Sequence, residues 1–253
     1  MEKTLEFLLV WFLVSVRASG LLMMTPVFSG RTVPAPVRLC IAMFMAYVVA
    51  GHGVRDGAVL PQTIGHLVVV MVQEVLVGLF MGWAVRLFLH AVEIAGQLIS
   101  TELGLSMGAM LDPFTGTNAN AIGTLMFAFG TLVFFISGAH QNIISAFIQS
   151  FAVAPLGVLD GGKDVGTLMV ISTGKIFSSA LQIGAPLVAL NFIISLTFSI
   201  LGRAAPSTHV FSESFALRIY LGTTLLGMSF GLAAQVMTDL LKDAPEQMMR
   251  FIP

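Results

Sequence analysis

The sequence predicts an all-α, polytopic membrane protein, and its composition and charge spacing carry that prediction. Of its 253 residues, 57% are apolar and 10% are charged, with a mean hydropathy of +0.94. An ordinary soluble domain has roughly 45–50% apolar and about 25% charged residues. No Asp, Glu, Lys or Arg lies between Asp112 and Asp160 or between Lys175 and Arg203. Because a membrane-spanning helix needs about 20 apolar residues, each stretch can hold at least one crossing.

The apolar helical segments follow one another with short loops between them, and no loop is long enough to fold as a soluble domain. We predict segments at 5–28, 37–51, 62–89, 119–137, 141–155, 166–201 and 214–241. The first segment is too long for a signal peptide, so we expect it to be the first helix of the mature protein. These segments predict about six crossings within one membrane-embedded domain that covers residues 1–253.

Three segments depart from a simple upright crossing. Segments 37–51 and 141–155 are too short to span, so we expect them to pack as partial helices. Segment 166–201 is too long for one crossing and contains Pro186, which predicts either two helices or one kinked helix.

The composition also excludes several classes of protein. A net charge of −1 offers no basic surface for nucleic acid, and a single cysteine, Cys40, excludes an internal disulfide or a cysteine metal cluster. The five histidines are scattered without metal-ligand spacing, and the chain has neither a Walker loop nor a nucleophile elbow. We therefore predict a protein that is not an enzyme and that has no cofactor or metal.

Small residues recur at every fourth position in one helical segment: Gly96, Ser100, Gly104 and Gly108. Such a row lets a neighbouring backbone come close, which is how helices associate in lipid. Asp112-Pro113 is then expected to stop the helix, because proline cannot continue the ladder of hydrogen bonds. Broken backbone at membrane depth is tolerated where it is buried in protein or lines an aqueous path. The pattern therefore indicates a passage rather than a simple anchor.

A polar stripe precedes this row on one helical face, formed by Arg86, His90, Glu93 and Gln97. Such groups at membrane depth normally face a bundle interior, a partner or water. The stripe is either a proton or ion relay or a buried polar seam that fixes helix packing. We favour the seam, with Arg86 and Glu93 neutralising each other, since a relay usually needs acids on several helices.

Two further acids, Glu74 and Glu102, lie in apolar surroundings. Isolated charges in a membrane helix normally have a partner, and Arg17 and Lys175 are the candidates within this chain. We expect structural ion pairs, internal or between subunits, rather than catalysis.

Methionine is unusually frequent, with fifteen residues in the chain. Most of these residues are expected to fill helix cores. Met107 and Met110 lie just before the Asp112-Pro113 break, where flexible thioether side chains suit a pliable apolar seal as well as a core.

Four blocks of this sequence resemble the FliR family of type III export-gate proteins, whose virulence counterpart is the injectisome T component. The resemblance extends in order over nearly the whole chain. It rests on Arg17–Gly20 with Pro26–Phe28, Val33-Pro34 and Arg38; Gly96–Ile99 with Gly104-Leu105 and Asp112-Pro113; Phe134-Phe135 with Gly138, His140 and Pro155–Gly157; and Arg203–Pro206 with Phe211.

The resemblance implies a structural subunit of the flagellar type III export gate, located in the bacterial inner membrane at the flagellar basal body. Family members are helical hairpins in a closed, staggered hetero-oligomer with FliP and FliQ, with FlhB nearby, around a pore for unfolded flagellar subunits. The family's plug maps onto Met107–Gly116. The predicted sealing residues are Met107, Met110, Leu111, Asp112, Pro113 and Phe114.

Two alternatives remain open at this point. The first is a subunit of a virulence injectisome rather than of a flagellum. The second is an ion-coupled secondary transporter, in which Glu74, Glu93, Glu102 and Asp112 couple ions to a small substrate at broken helices. The chain shows no inverted repeat of the kind that many transporters contain.

Overall fold

A computed structural model describes residues 2–25, 28, 33–51, 59, 61, 63–105, 121–158, 165–204 and 210–250. All regular secondary structure in these ranges is helical, which confirms the predicted all-α class. The helices are α1 (Glu2–Met24), α2 (Ala35–Ala50), α3 (Ile64–Glu102), α4 (Ala121–Ile136), α5 (Ala139–Val153), α6 (Val165–Ala204), α7 (Val210–Lys242) and α8 (Ala244–Arg250).

Two of the long helices differ from the predicted segments. Helix α3 has 39 residues and continues from the predicted segment 62–89 through the polar stripe to Glu102, because no proline or glycine pair interrupts it there. Helix α6 is one 40-residue helix with Pro186 inside it, so the two-helix alternative is wrong. Proline is tolerated within membrane helices when neighbouring groups satisfy the freed backbone carbonyl.

Within the described residues, four helices are long and apolar enough to cross a membrane: α1, α3, α6 and α7. Helices α4 and α5 are bent by 67° at a short break and make a fifth crossing if the bent pair is one span. Gly138, at the break, has a left-handed φ of 72° that suits glycine. The described residues therefore contain four crossings, or five with the bent pair, against about six expected. Helix α2 is a shorter apolar helix and is not counted among them.

The chain forms two compact units. Unit 1 comprises Met1–Phe88, Phe135–Thr173 and Leu240–Pro253, and unit 2 comprises Leu89–Phe134 and Gly174–Asp239. Whether residues 1–253 act as a single domain stays a prediction.

In unit 1, helices α1 and α3 cross at glycines. A Cβ atom added at Gly78 would overlap the carbonyl oxygen of Arg17, and one at Gly82 would lie 2.5 Å from that of Leu21. Gly20 meets α3 in the same way, since its Cβ would lie 3.0 Å from the carbonyl oxygen of Val75. The two backbones therefore touch along a small-residue contact of the kind that joins membrane helices.

Helix α2 packs against α1 in the same unit. The indole Nε1 of Trp11 donates a hydrogen bond to the carbonyl of Met43 at 3.0 Å, and Phe7 meets Tyr47 edge-on. At the end of the chain, α8 packs against α5.

In unit 2, the C-terminal part of α3 packs closely against α4. A Cβ at Gly96 would lie 2.7 Å from the Cα of Gly123 and 2.8 Å from Met126. Helix α4 also meets α7, where Gly130 lies against Met237 and Phe129 packs edge-on against Phe230.

Candidate functional site

Helix α3 ends shortly before the predicted plug in the sequence. The Gly104 N–H donates to the carbonyl of Thr101 at 3.0 Å, and the Leu105 N–H donates to that of Ser100 at 3.1 Å. With Gly104 at a left-handed φ of 74°, these two bonds form a Schellman cap, which satisfies the last carbonyls of a helix. This cap, which includes Leu105, therefore terminates helix α3 directly before residues 106–120.

This cap corrects the prediction that the helix continues to Asp112-Pro113. Helix α3 ends at Glu102, because Gly104 adopts a backbone conformation that a helix does not contain. Gly96 and Ser100 lie on buried helix, with Ser100 only 1% exposed, whereas Gly104 caps the helix instead of extending the small-residue row. Gly108 lies outside the described residues.

The cap packs against α7. A Cβ at Gly104 would lie 2.9 Å from the ring of Phe215, and one at Gly222 would overlap the side chain of Leu103. Leu103 is 3% exposed. Two glycines thus let the end of α3 lie directly against α7.

A polar cluster also ties this end of α3 to α6. The Asn191 side-chain amide donates to the Glu102 carboxylate, and the Ser195 hydroxyl donates to the Asn191 backbone carbonyl at 2.7 Å. The guanidinium of Arg218, on α7, donates to the Ser195 hydroxyl at 3.0 Å. Lys175, which is one of the two predicted partners for the isolated acids, lies exposed elsewhere on α6. The described partner of Glu102 is instead the Asn191 amide.

The predicted sealing residues Met107, Met110, Leu111, Asp112, Pro113 and Phe114 all lie outside the described residues. Their role stays a prediction. What the structure describes is the anchorage of the chain immediately before them.

The polar stripe on α3 is only partly buried in this chain. His90 Nδ1 lies 2.8 Å from the Glu93 carboxylate, and these side chains are 36% and 40% exposed. Gln97 is exposed, and Arg86 is half-buried. Glu93 therefore pairs with His90, one turn away, and burial of the stripe stays a prediction for the assembled complex.

Among the described residues, the most deeply buried charged side chain is that of Arg17 on α1, which is 1% exposed. Its Nε lies 2.5 Å from the carboxylate of Glu74, which is 2% exposed. Its two terminal nitrogens donate to the Ser150 hydroxyl at 3.1 Å and to the Ala154 carbonyl at 3.0 Å. Of the two candidate partners, Arg17 thus pairs with Glu74, and the ion pair joins α1, α3 and α5.

The same ion pair fixes the turn after α5. The second Glu74 oxygen accepts the Gly157 N–H at 3.2 Å, and Gly157 has a left-handed φ of 76°. The guanidinium carbon also lies 4.1 Å from the centre of the Phe151 ring, a cation–π contact. Buried charges are tolerated when paired and hydrogen-bonded in this way.

Two parts of this arrangement are not among the contacts expected from the sequence. Nothing in the local sequence marks Ser150 as a partner of an arginine 133 positions earlier. Gly78 and Gly82, by contrast, form a visible G-x-x-x-G spacing, which is the signal that could have found the α1–α3 crossing.

The described residues contain no group of three or more His, Cys, Asp or Glu side chains that could hold a metal ion. Their polar groups pair with one another and position helices. These features define a class: a polytopic helical membrane protein, held together by glycine contacts and buried polar pairs.

Within that class, residues 8–244 match the family model described as "Bacterial export proteins, family 1", and the chain belongs to this family. Curated relatives named flagellar biosynthetic protein FliR match almost end to end. That of Caulobacter vibrioides is 28% identical over 90% of both chains. That of Escherichia coli K12 is 26% identical over 92% of this chain and 88% of its own, and that of Bacillus subtilis 168 is 27% identical over 89% and 88%. The family and these relatives confirm the predicted class of function, a subunit of the flagellar type III export gate.

Proposed function

We propose that this chain forms part of the pore and the plug of the flagellar export gate in the bacterial inner membrane. In this proposal it is a structural subunit without catalytic activity, and unfolded flagellar subunits pass beside residues 107–116. It assembles with FliP and FliQ, with FlhB nearby, and membrane lipid covers its outer faces. The wider family resemblance supplies these partners.

One observation carries the proposal: helix α3 is capped and anchored on two sides immediately before the predicted plug. Glu102 is held by Asn191 on α6, and Gly104 packs on Phe215 of α7. A segment that blocks a pore between passages needs a fixed base, because otherwise the moving substrate would displace it from the pore.

The sequence of the proposed plug suits such a seal. Met107, Met110, Leu111 and Phe114 are apolar residues on either side of Asp112-Pro113. An apolar constriction closes a pore by excluding water. Flexible methionines can also repack around peptides of varied sequence.

The environment of two of its four proposed coupling acids disfavours the transporter alternative. Glu74 accepts hydrogen bonds from Arg17 and Gly157, and Glu102 accepts one from Asn191. Acids held by such bonds are poorly suited to exchanging ions during a transport cycle.

The test is removal of the plug. We expect deletion of Met110–Thr115 to leave the gate assembled but permeable, because the capped end of α3 stays intact while the seal is lost. Overproduced gate should then admit ions and small solutes and slow growth. A deletion of equal length at 53–58, between α2 and α3, is the control and should not leak.

Two results would count against the proposal. A correctly assembled deletion gate that stays tight would place the plug outside residues 110–115. Purification of the wild-type chain as a lone monomer that binds a small solute would favour the transporter.

A further inference from the structure

Arg218, on α7, lies between two close contacts that α7 makes with the end of α3. Phe215 packs against Gly104, and Gly222 packs against Leu103. Positions 215, 218 and 222 follow one another at steps of three and four, so they share one face of α7. The Arg218 side chain therefore lies on the face of α7 that meets the last turn of α3.

We infer that Arg218 is the counter-charge of Glu102, and that it positions the end of α3 through its charge rather than through its packing. The positioning depends only on contacts within unit 2. The inference rests on the proposed function for one consequence, the closure of the pore by residues 107–116, which follow directly on the positioned helix end.

A chain of hydrogen bonds leads from this cation to this anion. The Arg218 guanidinium donates to the Ser195 hydroxyl at 3.0 Å, and that hydroxyl donates to the Asn191 carbonyl at 2.7 Å. The Asn191 side-chain amide then donates to the Glu102 carboxylate. Every donor points in the direction from Arg218 to Glu102, and hydrogen bonds arranged in this way polarise one another. The positive charge at one end and the negative charge at the other therefore stabilise the same arrangement.

The two charged side chains also line one small space between the helices. The other described residues that line it are Leu103, Leu187, Leu190, Asn191 and Ile194, and it has no room for a water molecule. Glu102 and Arg218 do not touch directly, since neither forms an ion pair within 4 Å with a described residue. Their attraction acts across a largely apolar space, where an effective dielectric constant of about 20 makes it roughly four times stronger than in water.

Packing alone does not account for an arginine at position 218. The Arg218 Nε is buried and has no hydrogen-bond partner among the described residues, and a buried donor without a partner is unfavourable. An apolar side chain of similar length would fill the same volume without that cost. The charge is what arginine adds, and Glu102 is the acid that lines the same space.

Hydrogen exchange of the full-length protein in its purified complex, measured by mass spectrometry, tests the positioning. The N–H groups of Gly104 and Leu105 close the cap of α3, so they exchange only when the cap opens. Arg218→Gln and Glu102→Gln keep a polar amide but remove the charge. We expect each to speed exchange of these two amides about tenfold, as for the loss of one interaction with a charged group.

The double variant carries the decisive comparison. If the two charges act on each other, Glu102→Gln with Arg218→Gln should exchange about tenfold faster than wild type, and not a hundredfold faster. Arg218→Lys keeps the charge on a different side chain and should restore most of the protection. Arg250→Gln, which removes an exposed cation on α8, should change nothing, and the intact mass of the complex shows whether each variant assembles.

Three results would overturn the inference: additive effects of the two single variants, wild-type protection in Arg218→Gln, or a lysine variant as unprotected as the glutamine variant. Additive effects in particular would show that Arg218 acts on a different group. Entry of small solutes tests the proposed function separately. Faster exchange in Arg218→Gln with a gate that stays tight would support the positioning and count against a plug at residues 107–116.

Discussion

At the residue scale, the pairing of Arg17 shows how an apolar protein tolerates full burial of a charge. Its guanidinium contacts the Glu74 carboxylate, the Ser150 hydroxyl and the Ala154 carbonyl. Because all of these partners are also withdrawn from water, loss of one leaves the others unsatisfied. The Arg17 side chain therefore holds α1, α3 and α5 together.

We predict that Arg17→Leu destabilises the protein by about 3–5 kcal/mol, because Glu74 would remain buried without its cation. The double variant Arg17→Leu with Glu74→Leu should recover part of that loss, since no charge then stays unpaired. Thermal unfolding in mild detergent measures both effects.

The exposed pair Arg250–Glu246, whose side chains are 59% and 68% exposed, provides the control. Arg250→Leu should change the unfolding temperature little, because exposed ion pairs contribute little to stability. An Arg17→Leu variant as stable as Arg250→Leu would show that the buried pair is dispensable.

A second residue-scale prediction concerns Gly104. Gly104→Ala should cost about 1–2 kcal/mol, because an L-residue is strained at the left-handed φ of this position, and its Cβ would press on Phe215. Gly104→Leu should be worse and should reduce assembly of the gate.

Gly174→Ala is the matched control for that variant. Gly174 lies in α6, and no atom comes within 4 Å of an added Cβ, so alanine should be neutral or stabilising there. If the two alanine variants unfold at the same temperature, the left-handed conformation at position 104 does not require glycine.

At the element scale, glycine spacing decides which helices meet. Gly78 and Gly82 bring α3 against α1, whereas Gly96 brings the later part of α3 against α4. A single 39-residue helix thus presents small residues to different partners along its length. Because lipid removes the hydrophobic driving force, such close contacts supply the association energy.

We predict that Gly78→Ala separates α1 from α3, because the added methyl would meet the backbone of Arg17 rather than a movable side chain. The Arg17–Glu74 pair would be pulled apart at the same time. Disulfide cross-linking between cysteines placed on α1 and α3 reports the separation. Gly65→Ala, at the start of α3 with open space around it, should cross-link normally, and a Gly78→Ala variant that does the same would refute the close crossing.

At the scale of the whole molecule, the long helices leave much of their apolar surface uncovered within the chain. Only 28%, 22% and 17% of the most apolar windows of α3, α6 and α7 are buried, against 50% for α1. Large side chains such as Phe192, Tyr220 and Met228 are 63%, 70% and 76% exposed. Lipid or other subunits must cover these faces, because contiguous apolar surface is unfavourable in water.

We therefore predict that the chain leaves the membrane in mild detergent as one large complex with two other small apolar proteins, the proposed FliP and FliQ. Size-exclusion chromatography with mass determination measures the assembly. A stable monomer under the same conditions would contradict the proposed gate.

The sequence by itself determined the class of this protein. Apolar composition and charge-free stretches were sufficient for the all-α, membrane-spanning fold, because the bilayer admits few structures that satisfy every backbone group. Ordered local motifs, from Arg17–Gly20 to Arg203–Pro206, were sufficient for the family. Both depend on patterns that are local in the chain.

Only the tertiary structure decided where α3 ends and what its polar groups touch. Asp112-Pro113 is a strong local stop signal, yet α3 ends earlier, where Gly104 takes a left-handed conformation against Phe215. Likewise, Ser150 and Gly157 join the Arg17–Glu74 pair across long separations in sequence. Such contacts depend on how helices cross, which residue spacing along one helix does not specify.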